Sequence, residues 1–267
     1  CCDIASFHNS LCQRMQLALQ AAGQHRQTHD LDEADVLLFD VVELGVGMID
    51  AQRMLQRSDI VPKHEIQFGH IERPTTENDS VETARFEVCN LKWTDISESR
   101  FGVAMLNDCK YGISVRGSDM RLSLHRGGVH PDPAGDFGVH EMTYSILPHC
   151  GDFCVTNVVY PAYELNCPVI VAPGALSKPL AAPVLVDADN VIVEAVKPAE
   201  DIENAYVVRL YEAERARTTT QLTFPADVKK VVESNMLEEA IADVALTDGV
   251  ADVTFKPFEI KTFICYR

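Results

Sequence analysis

The chain has 267 residues, 46% of them hydrophobic and 24% charged, a mix that suits one large folded domain or two of ordinary size and excludes a disordered tail. Its 23 basic and 40 acidic residues give a formal charge of −17, a field that repels phosphate backbones and anionic lipid heads, so neither nucleic acid nor a membrane surface is an expected partner. No stretch reaches the roughly 18 consecutive apolar residues of a membrane span, and residues 1–30 lack the basic segment and unbroken apolar core of a signal peptide. The chain starts at Cys1 rather than Met, which reads as a processed chain or a fragment.

In chain order, the first predicted element is a helix over about 11–22. Ser10 and Gln13 have capping-box spacing, Leu11, Met15, Leu19 and Ala22 share a face, and Gly23 stands where a C-terminal cap belongs. Residues 31–49 mix acids with Val36-Leu37-Leu38-Phe39 and Val41-Val42, a buried strand or a second amphipathic helix that periodicity does not separate. Composition then shifts near Lys63: seven of the nine Gln precede it, and residues 1–62 contain no Lys, no Tyr and a single Pro, Pro62. Residues 1–63 are therefore set apart as an unassigned, partly helical segment. An out-of-frame or spliced stretch, a substituted linker and a true helical addition are the competing accounts.

From Glu65 the pattern has period two. Ile66 and Phe68 alternate with Glu65 and Gln67, Phe86 and Val88 with Arg85 and Glu87, and Leu122 and Leu124 with Arg121 and Ser123, while Met142, Tyr144 and Ile146 keep the same period. Short runs bounded by Gly, Pro, Asn or Asp, without long crossover helices, predict a mainly β protein: an antiparallel sandwich with one wet face per sheet. Residues 64–178 form the larger sandwich in this reading. Pro173, Gly174, Pro179 and Pro183 mark a second boundary, and residues 179–267 make a smaller C-terminal sandwich, with strands at 191–196, 205–211, 219–224, 250–255 and 258–264. Asp248-Gly249 signals a type I′ hairpin between 244–246 and 250–253.

The nine cysteines show no paired spacing, so free, mostly buried thiols in a reducing compartment are expected. His140, His149, Cys150 and Cys154 form one loose group where a structural zinc site usually shows two tight ligand pairs, and a plain loop is preferred there. The lone Trp93, between Leu91 and Ile96, is expected in the core.

Polar residues gather between Leu106 and His149. Asn107, Asp108, Lys110 and Tyr111 crowd one turn that can present hydrogen-bonding groups to a polyhydroxylated ligand; the plain account is a hairpin whose Asn and Asp bond their own backbone. Arg126, Asp132 and Asp136 lie in a Gly- and Pro-rich loop and can face a shared ligand, or form a surface Arg–Asp pair. Sequence spacing does not make these acids a glycosidase pair, because that mechanism is defined by a distance in space.

Glu65-Ile66-Gln67-Phe68-Gly69, Arg73-Pro74-Thr75, Ala84-Arg85-Phe86-Glu87-Val88, Lys92-Trp93-Thr94-Asp95, Leu106-Asn107-Asp108-Cys109-Lys110-Tyr111-Gly112, Leu122-Ser123-Leu124-His125-Arg126 through Pro131-Asp132-Pro133 to His140, and the terminal Pro257–Phe263 run follow one another in a distinctive order. Together they resemble the C-terminal β region of glycoside hydrolase family 38 α-mannosidases, over roughly residues 64–267. The resemblance implies retaining hydrolysis of terminal α-linked mannose. It also implies a catalytic domain, not contained in this sequence, that holds zinc and the Asp nucleophile and packs against the C-terminal sandwich. No cofactor or metal is expected in these residues themselves. By match to the motifs, Asn107, Asp108, Lys110, Tyr111, Arg126, Asp132, Asp136 and His140 are placed nearest the substrate cleft.

Two departures stand out. Thr76–Thr83 replaces a His-, Arg-, Asn- and Trp-rich stretch, and Gly127-Gly128 replaces the usual Ser-Pro after Arg126. The expected partners are α-mannoside glycans and the protein's own catalytic domain, with a homo-oligomer left open. The expected location is cytoplasmic, with vacuolar or lysosomal residence as the alternative. The rival from another class is a stand-alone carbohydrate-binding or scaffold sandwich.

Overall fold

The computed structural model describes residues 61–117, 119–125, 130–131, 138–171, 173–174 and 181–267, together with the backbone of two short strands, β1 (His29–Asp30) and β2 (Val41–Leu44). The helix expected over 11–22 lies outside the described residues. The chain continues through β3 (Lys63–Ile66), β4 (Gly69–Glu72), α1 (Ser80–Ala84), β5 (Val88–Cys89), β6 (Trp93–Glu98), β7 (Phe101–Asn107), β8 (Gly112–Arg116), β9 (Asp119–Ser123), β10 (Val139–His140) and β11 (Tyr144–Cys150). A π-helical turn, Val155–Val159, runs into α2 (Tyr160–Asn166). Then come β12 (Leu185–Val186), β13 (Val191–Pro198), β14 (Ala205–Glu212), β15 (Thr218–Thr223), β16 (Lys230–Ser234), β17 (Ala240–Val244), β18 (Val250–Phe255) and β19 (Ile260–Tyr266).

The protein is mainly β and antiparallel, as the period-two runs require. A five-stranded sheet, β11-β7-β6-β3-β4, faces a four-stranded sheet, β2-β9-β8-β5. Ile96, Val103 and Met105 from the first meet Ile113, Met120 and Leu122 from the second to form a dry core. A second pair, β13-β14-β19-β16-β17 against β12-β15-β18, encloses Val208, Leu210, Leu222, Phe255 and Phe263. Val41–Leu44, left open as strand or helix by its sequence, is a strand paired with β9, and β1 pairs with β10 so that His29 stands opposite His140.

The expectation of one wet face per sheet fails for the five-stranded sheet. Its other face carries Trp93, Ala104 and Leu106, which pack on Val155, Val158 and Ala162 of the helical segment and on Ile192 and Tyr211 of the second sandwich. Burial on both sides explains why Val103-Ala104-Met105-Leu106 reads as a continuous apolar run rather than an alternation. Trp93 is a core residue, as expected.

Two alternations were misleading. Gln67 and Phe68 are the corner of the β3–β4 hairpin, with Phe68 at φ 57° and Gly69 at φ 154°, so 65–68 is not one strand. Gly69 leaves room for the Phe258 ring, whose nearest carbon would lie 2.8 Å from an added Cβ. Phe86 is 52% exposed and strand pairing starts only at Val88. Just before it, Asp79 caps α1 by accepting the amides of Val81 and Glu82 at 2.8 Å, and the Glu82 carboxylate reaches back to the amide of Asn78 at 2.7 Å.

The cysteines are also less buried than expected. The six described ones are free thiols, but only Cys265 is buried; Cys89, Cys109, Cys150 and Cys167 are exposed because they lie at strand ends and in turns.

Candidate functional site

The site grows from strand register. Ser123 pairs with Gly112 across β9 and β8, and Gly112 with Cys89 across β8 and β5. Their neighbours Leu122, Ile113 and Val88 point into or pack against the core, so Ser123, Gly112 and Cys89 share the outer face, and Glu87, two residues before Cys89, joins them. The Ser123 hydroxyl donates to the Glu87 carboxylate. Gly112 leaves the space over which they meet, because an added Cβ would lie 2.5 Å from Glu87 Oε1 and make that carboxylate shift.

Three further segments border this face. The β7–β8 turn brings Lys110 and Tyr111, the residues after β9 bring Leu124 and His125, and β10 brings His140. The His125 and His140 rings meet at 4.6 Å between centroids, inclined at 54°. Together with Val88 and Cys89 these residues line an open cleft of about 590 Å³, at whose rim the Tyr111 ring is 52% exposed. A carboxylate, an ammonium, a phenol and two imidazoles thus face one space.

Of the residues singled out by sequence, Lys110, Tyr111 and His140 line this cleft. Asn107 is fully buried and shapes the turn: its Nδ2 donates to Leu91 O at 2.8 Å and its Oδ1 accepts the Lys110 amide at 2.7 Å. Asp108 ties the turn to the approach of β11, both carboxylate oxygens accepting the Thr143 amide at 3.0 Å. Burial pushes the Asp108 pKa up, but these bonds and one with Cys109 outweigh it and hold the carboxyl below its usual range. Burial and then the Asp108 carboxylate push the Cys109 thiol up to about 11, which leaves it a poor nucleophile. Arg126, Asp132 and Asp136 lie outside the described residues. Sequence reasoning missed Glu87, Ser123 and His125 as site residues, although all three stand in its strand patterns and motifs.

The loose His/Cys group is not assembled. The His140 ring lies tilted against that of His125, whereas His149 Nε2 hydrogen-bonds Asp95 at 2.8 Å on β6. Among the described residues no three His, Cys, Asp or Glu side chains are gathered to hold a metal.

A second hollow of about 430 Å³ lies along α2, lined by Thr156, Tyr160, Pro161, Tyr163, Glu164 and Cys167. Its polar groups are engaged in joining the sandwiches. The Tyr163 hydroxyl donates to Glu194 and meets the Tyr211 hydroxyl at 3.1 Å, and Lys92 lies 4.5 Å over the Tyr163 ring while pairing with buried Glu65 at 3.0 Å. Tyr160 donates to Asp189 O. These are positions of a packed junction.

Comparison with known proteins agrees with this architecture. Residues 60–134 match the family described as glycosyl hydrolases family 38 C-terminal domain, and residues 190–263 match the glycosyl hydrolases family 38 C-terminal beta sandwich domain. The chain belongs to glycosyl hydrolase family 38, whose C-terminal domains it carries. It is 40% identical over 207 residues to alpha-mannosidase 2C1 of Homo sapiens, covering 75% of this chain and 20% of that protein. It is 41% identical over 210 residues to alpha-mannosidase G of Dictyostelium discoideum, covering 75% and 19%, and 34% identical over 226 residues to an alpha-mannosidase of Saccharomyces cerevisiae, covering 76% and 21%. The chain therefore spans about one fifth of the length of these relatives. The crystal structure of an alpha-mannosidase from Enterococcus faecalis V583 superposes with a TM-score of 0.64 at 19% identity, over 79% of this chain and 25% of that one, and so shares the fold. No helix among the described residues is long and apolar enough to cross a membrane.

Proposed function

We propose that this chain is the C-terminal β region of an α-mannosidase that hydrolyses terminal α-linked mannose with retention, and that its cleft forms one wall of the substrate site. The observation that carries the reading is the 40% identity to a protein named an alpha-mannosidase, together with a family match over 60–134 that contains the cleft side chains from Glu87 to His125. In this reading, zinc and the nucleophile belong to a catalytic domain supplied outside these residues, where the metal would bind and polarise the reacting sugar.

The chain's own contribution is recognition. Lys110 donates hydrogen bonds to hydroxyl oxygens, Tyr111 offers a ring for the apolar side of a pyranose, and His140 supplies an orientable imidazole. Asn107 and Asp108 fix the turn that carries the first two. We also assign the protein to the cytoplasm, because four exposed free thiols suit a reducing compartment; cell fractionation that recovers it from a vacuole or lysosome overturns this.

The test is a chimera in which this chain replaces the matching C-terminal fifth of human alpha-mannosidase 2C1, assayed on p-nitrophenyl α-D-mannopyranoside. Hydrolysis well above that of the truncated relative supports the reading, and an inactive but folded chimera overturns it. A second reading, a carbohydrate-binding sandwich acting without catalysis, is favoured by one observation: an exposed aromatic ring, Tyr111, stands beside Lys110 at the rim of an open cleft. Mannoside binding by the chain combined with an inactive chimera selects that reading.

A further inference from the structure

Asn166 closes α2 with a side-chain amide that makes two bonds. Its Nδ2 donates to Ala162 O at 2.8 Å, one turn back in the helix, and to Asn107 O at 3.0 Å at the end of β7. Only an NH₂ group satisfies two carbonyl oxygens at once, so these partners fix which way the amide points. The helix aims it. Ala162 belongs to the core that holds Ala104 and Leu106, and Asn166, four residues on, shares its face and meets the residue that follows Leu106.

Asn107 is where this contact has leverage. It is fully buried, and each of its polar groups is bonded. Its amide donates to Lys92 O at 3.0 Å and its Nδ2 to Leu91 O at 2.8 Å, its Oδ1 accepts the Lys110 amide at 2.7 Å, and its carbonyl accepts Asn166. The first three bonds lie within the first sandwich. The fourth comes from α2, which Tyr163 ties to the second sandwich through Glu194 and, at 3.1 Å, Tyr211. Lys110 and Tyr111, carried by the turn that Asn107 holds, line the cleft.

We propose that Asn166 is a positioning residue for the cleft. From α2 it sets the place of Lys110 and Tyr111 through Asn107, and so makes the helical segment between the sandwiches part of substrate binding. The identity of the substrate rests on the α-mannosidase reading; the positioning rests on the bonds of the two asparagines. Asn166 does not line the cleft, and no contact with the ligand is assigned to it.

The first measurement is amide hydrogen exchange on the full 267-residue chain. Asn166→Asp keeps the shape but sets a carboxylate against two carbonyl oxygens. It is expected to speed exchange of the Asn107 and Lys110 amides about tenfold, the scale of one lost hydrogen bond, while the ladder of β14 and β19 keeps its rates. Asn166→Ala removes the donor without adding a charge, should act in the same direction, and decides alone if the Asp variant fails to fold. Tyr163→Phe keeps the ring beneath Lys92 but releases Glu194 and Tyr211, and should leave both amides within about twofold of the wild type. The second measurement is the kinetics of the chimera. There Asn166→Asp is expected to raise KM about tenfold with kcat within about twofold, because a turn that binds the sugar without touching the reacting bond changes uniform binding.

Wild-type exchange of the Lys110 amide in the Asn166 variants overturns the proposal. So does equal acceleration in Tyr163→Phe, which describes a loosened junction, and so does an active chimera whose KM is unchanged by Asn166→Asp. An inactive chimera removes the enzyme reading instead, and the exchange of Asn107 and Lys110 then decides the role of Asn166 by itself.

Discussion

His149 Nε2 meets Asp95 Oδ1 at 2.8 Å where β11 and β6 flank β7, and both side chains are almost wholly removed from solvent. The strand between them makes this contact available. Gly102 on β7 pairs with His149, and an added Cβ there would fall on the imidazole itself. Gly102→Ala must therefore push the ring off Asp95 and leave a buried carboxyl that still accepts from the Ser97 hydroxyl but has lost the imidazole. The expected loss is at least ~2 kcal/mol, the scale for a buried polar group deprived of its partner. Urea unfolding measures it, and a midpoint equal to that of the wild type would show that the contact contributes nothing.

Acid sensitivity follows from two histidines in the first hairpin. Burial, then the charge of Arg73, pushes the His64 pKa from 6.5 down to about 3, and burial followed by Lys63 lowers that of His70. The unfolded chain takes up protons near pH 6.5 that the folded chain refuses, so stability falls as pH drops from about 6.5 towards 3. For His64 the loss reaches ~2 kcal/mol at pH 5, which lies 1.5 units below the ordinary histidine value. Glu65 acts in the opposite sense. Burial raises its pKa against the pull of Lys92, so the folded chain binds that proton first and gains stability as pH falls towards 4.5. The comparison that isolates His64 is with His64→Asn, which keeps a polar group near Thr94. Between pH 7 and 5 the wild type should lose about 2 kcal/mol more than this variant, and parallel stability profiles would remove His64 as the cause.

How much of this could be read in advance depended on whether a pattern was local. Leu122 and Leu124 alternate with wet residues because one face of β9 is buried, and the alternation showed it. β17 was missed because Ala240–Ala242 and Asp243 are exposed, so nothing in Ala-Ile-Ala-Asp-Val marks a buried face. The helical segment 155–166 was missed because its apolar residues fill the gap between two sandwiches, and no single element announces that gap. Lys110 and Tyr111 were singled out through the motif they belong to and the crowding of polar types in one turn, and both line the cleft. Glu87 was not, since it appeared only as the polar partner of Val88 in a strand pattern. Its place over Gly112 and beside Ser123 comes from the register of three strands, which is a tertiary fact.

The Asp248-Gly249 signal shows the same division. The tight turn is present: Asp248 and Gly249 have φ of 52° and 81°, and Thr247 and Val250 exchange backbone bonds at 2.9 Å. The long hairpin is not, because β17 pairs with β16 in one sheet while β18 pairs with β15 in the other. The turn therefore carries the chain between sheets. Gly249→Ala places a Cβ at positive φ and 3.4 Å from Phe224 O, and should cost about 1 kcal/mol. Asp248→Asn should stay within about 0.5 kcal/mol, since Asn tolerates this conformation. Denaturant midpoints of the two variants that do not differ would contradict the assignment of the strain to Gly249.

The second sandwich is tied to the first through a carboxylate that no motif or periodicity singles out. Glu212 ends β14 fully buried, its Oε1 accepting Asn190 Nδ2 at 2.9 Å and the Glu214 amide at 2.7 Å, its Oε2 accepting the amides of Ala216 and Phe258 at 3.0 Å. Phe258 in turn packs on Gly69 and stands edge-on to His70 at 5.1 Å, and His70 touches Trp93. One carboxylate thus holds the loop after β14, the turn before β19 and, through the Phe258 ring, the first hairpin of the other sandwich. Glu212→Ala leaves three backbone amides and one side-chain amide without their acceptor, with an expected loss on the order of 3–5 kcal/mol. Glu212→Gln turns an NH₂ group towards one pair of donors and should fall between that variant and the wild type. Hydrogen exchange distinguishes a local clamp from a general loss of stability. The amides of Glu214, Ala216 and Phe258 should lose protection in Glu212→Ala while those of the β15–β18 ladder keep theirs, and the emission of Trp93 should change as Phe258 releases His70. Uniform loss of protection across both ladders would show that Glu212 supports the sandwich as a whole and does not act as the tie between the two.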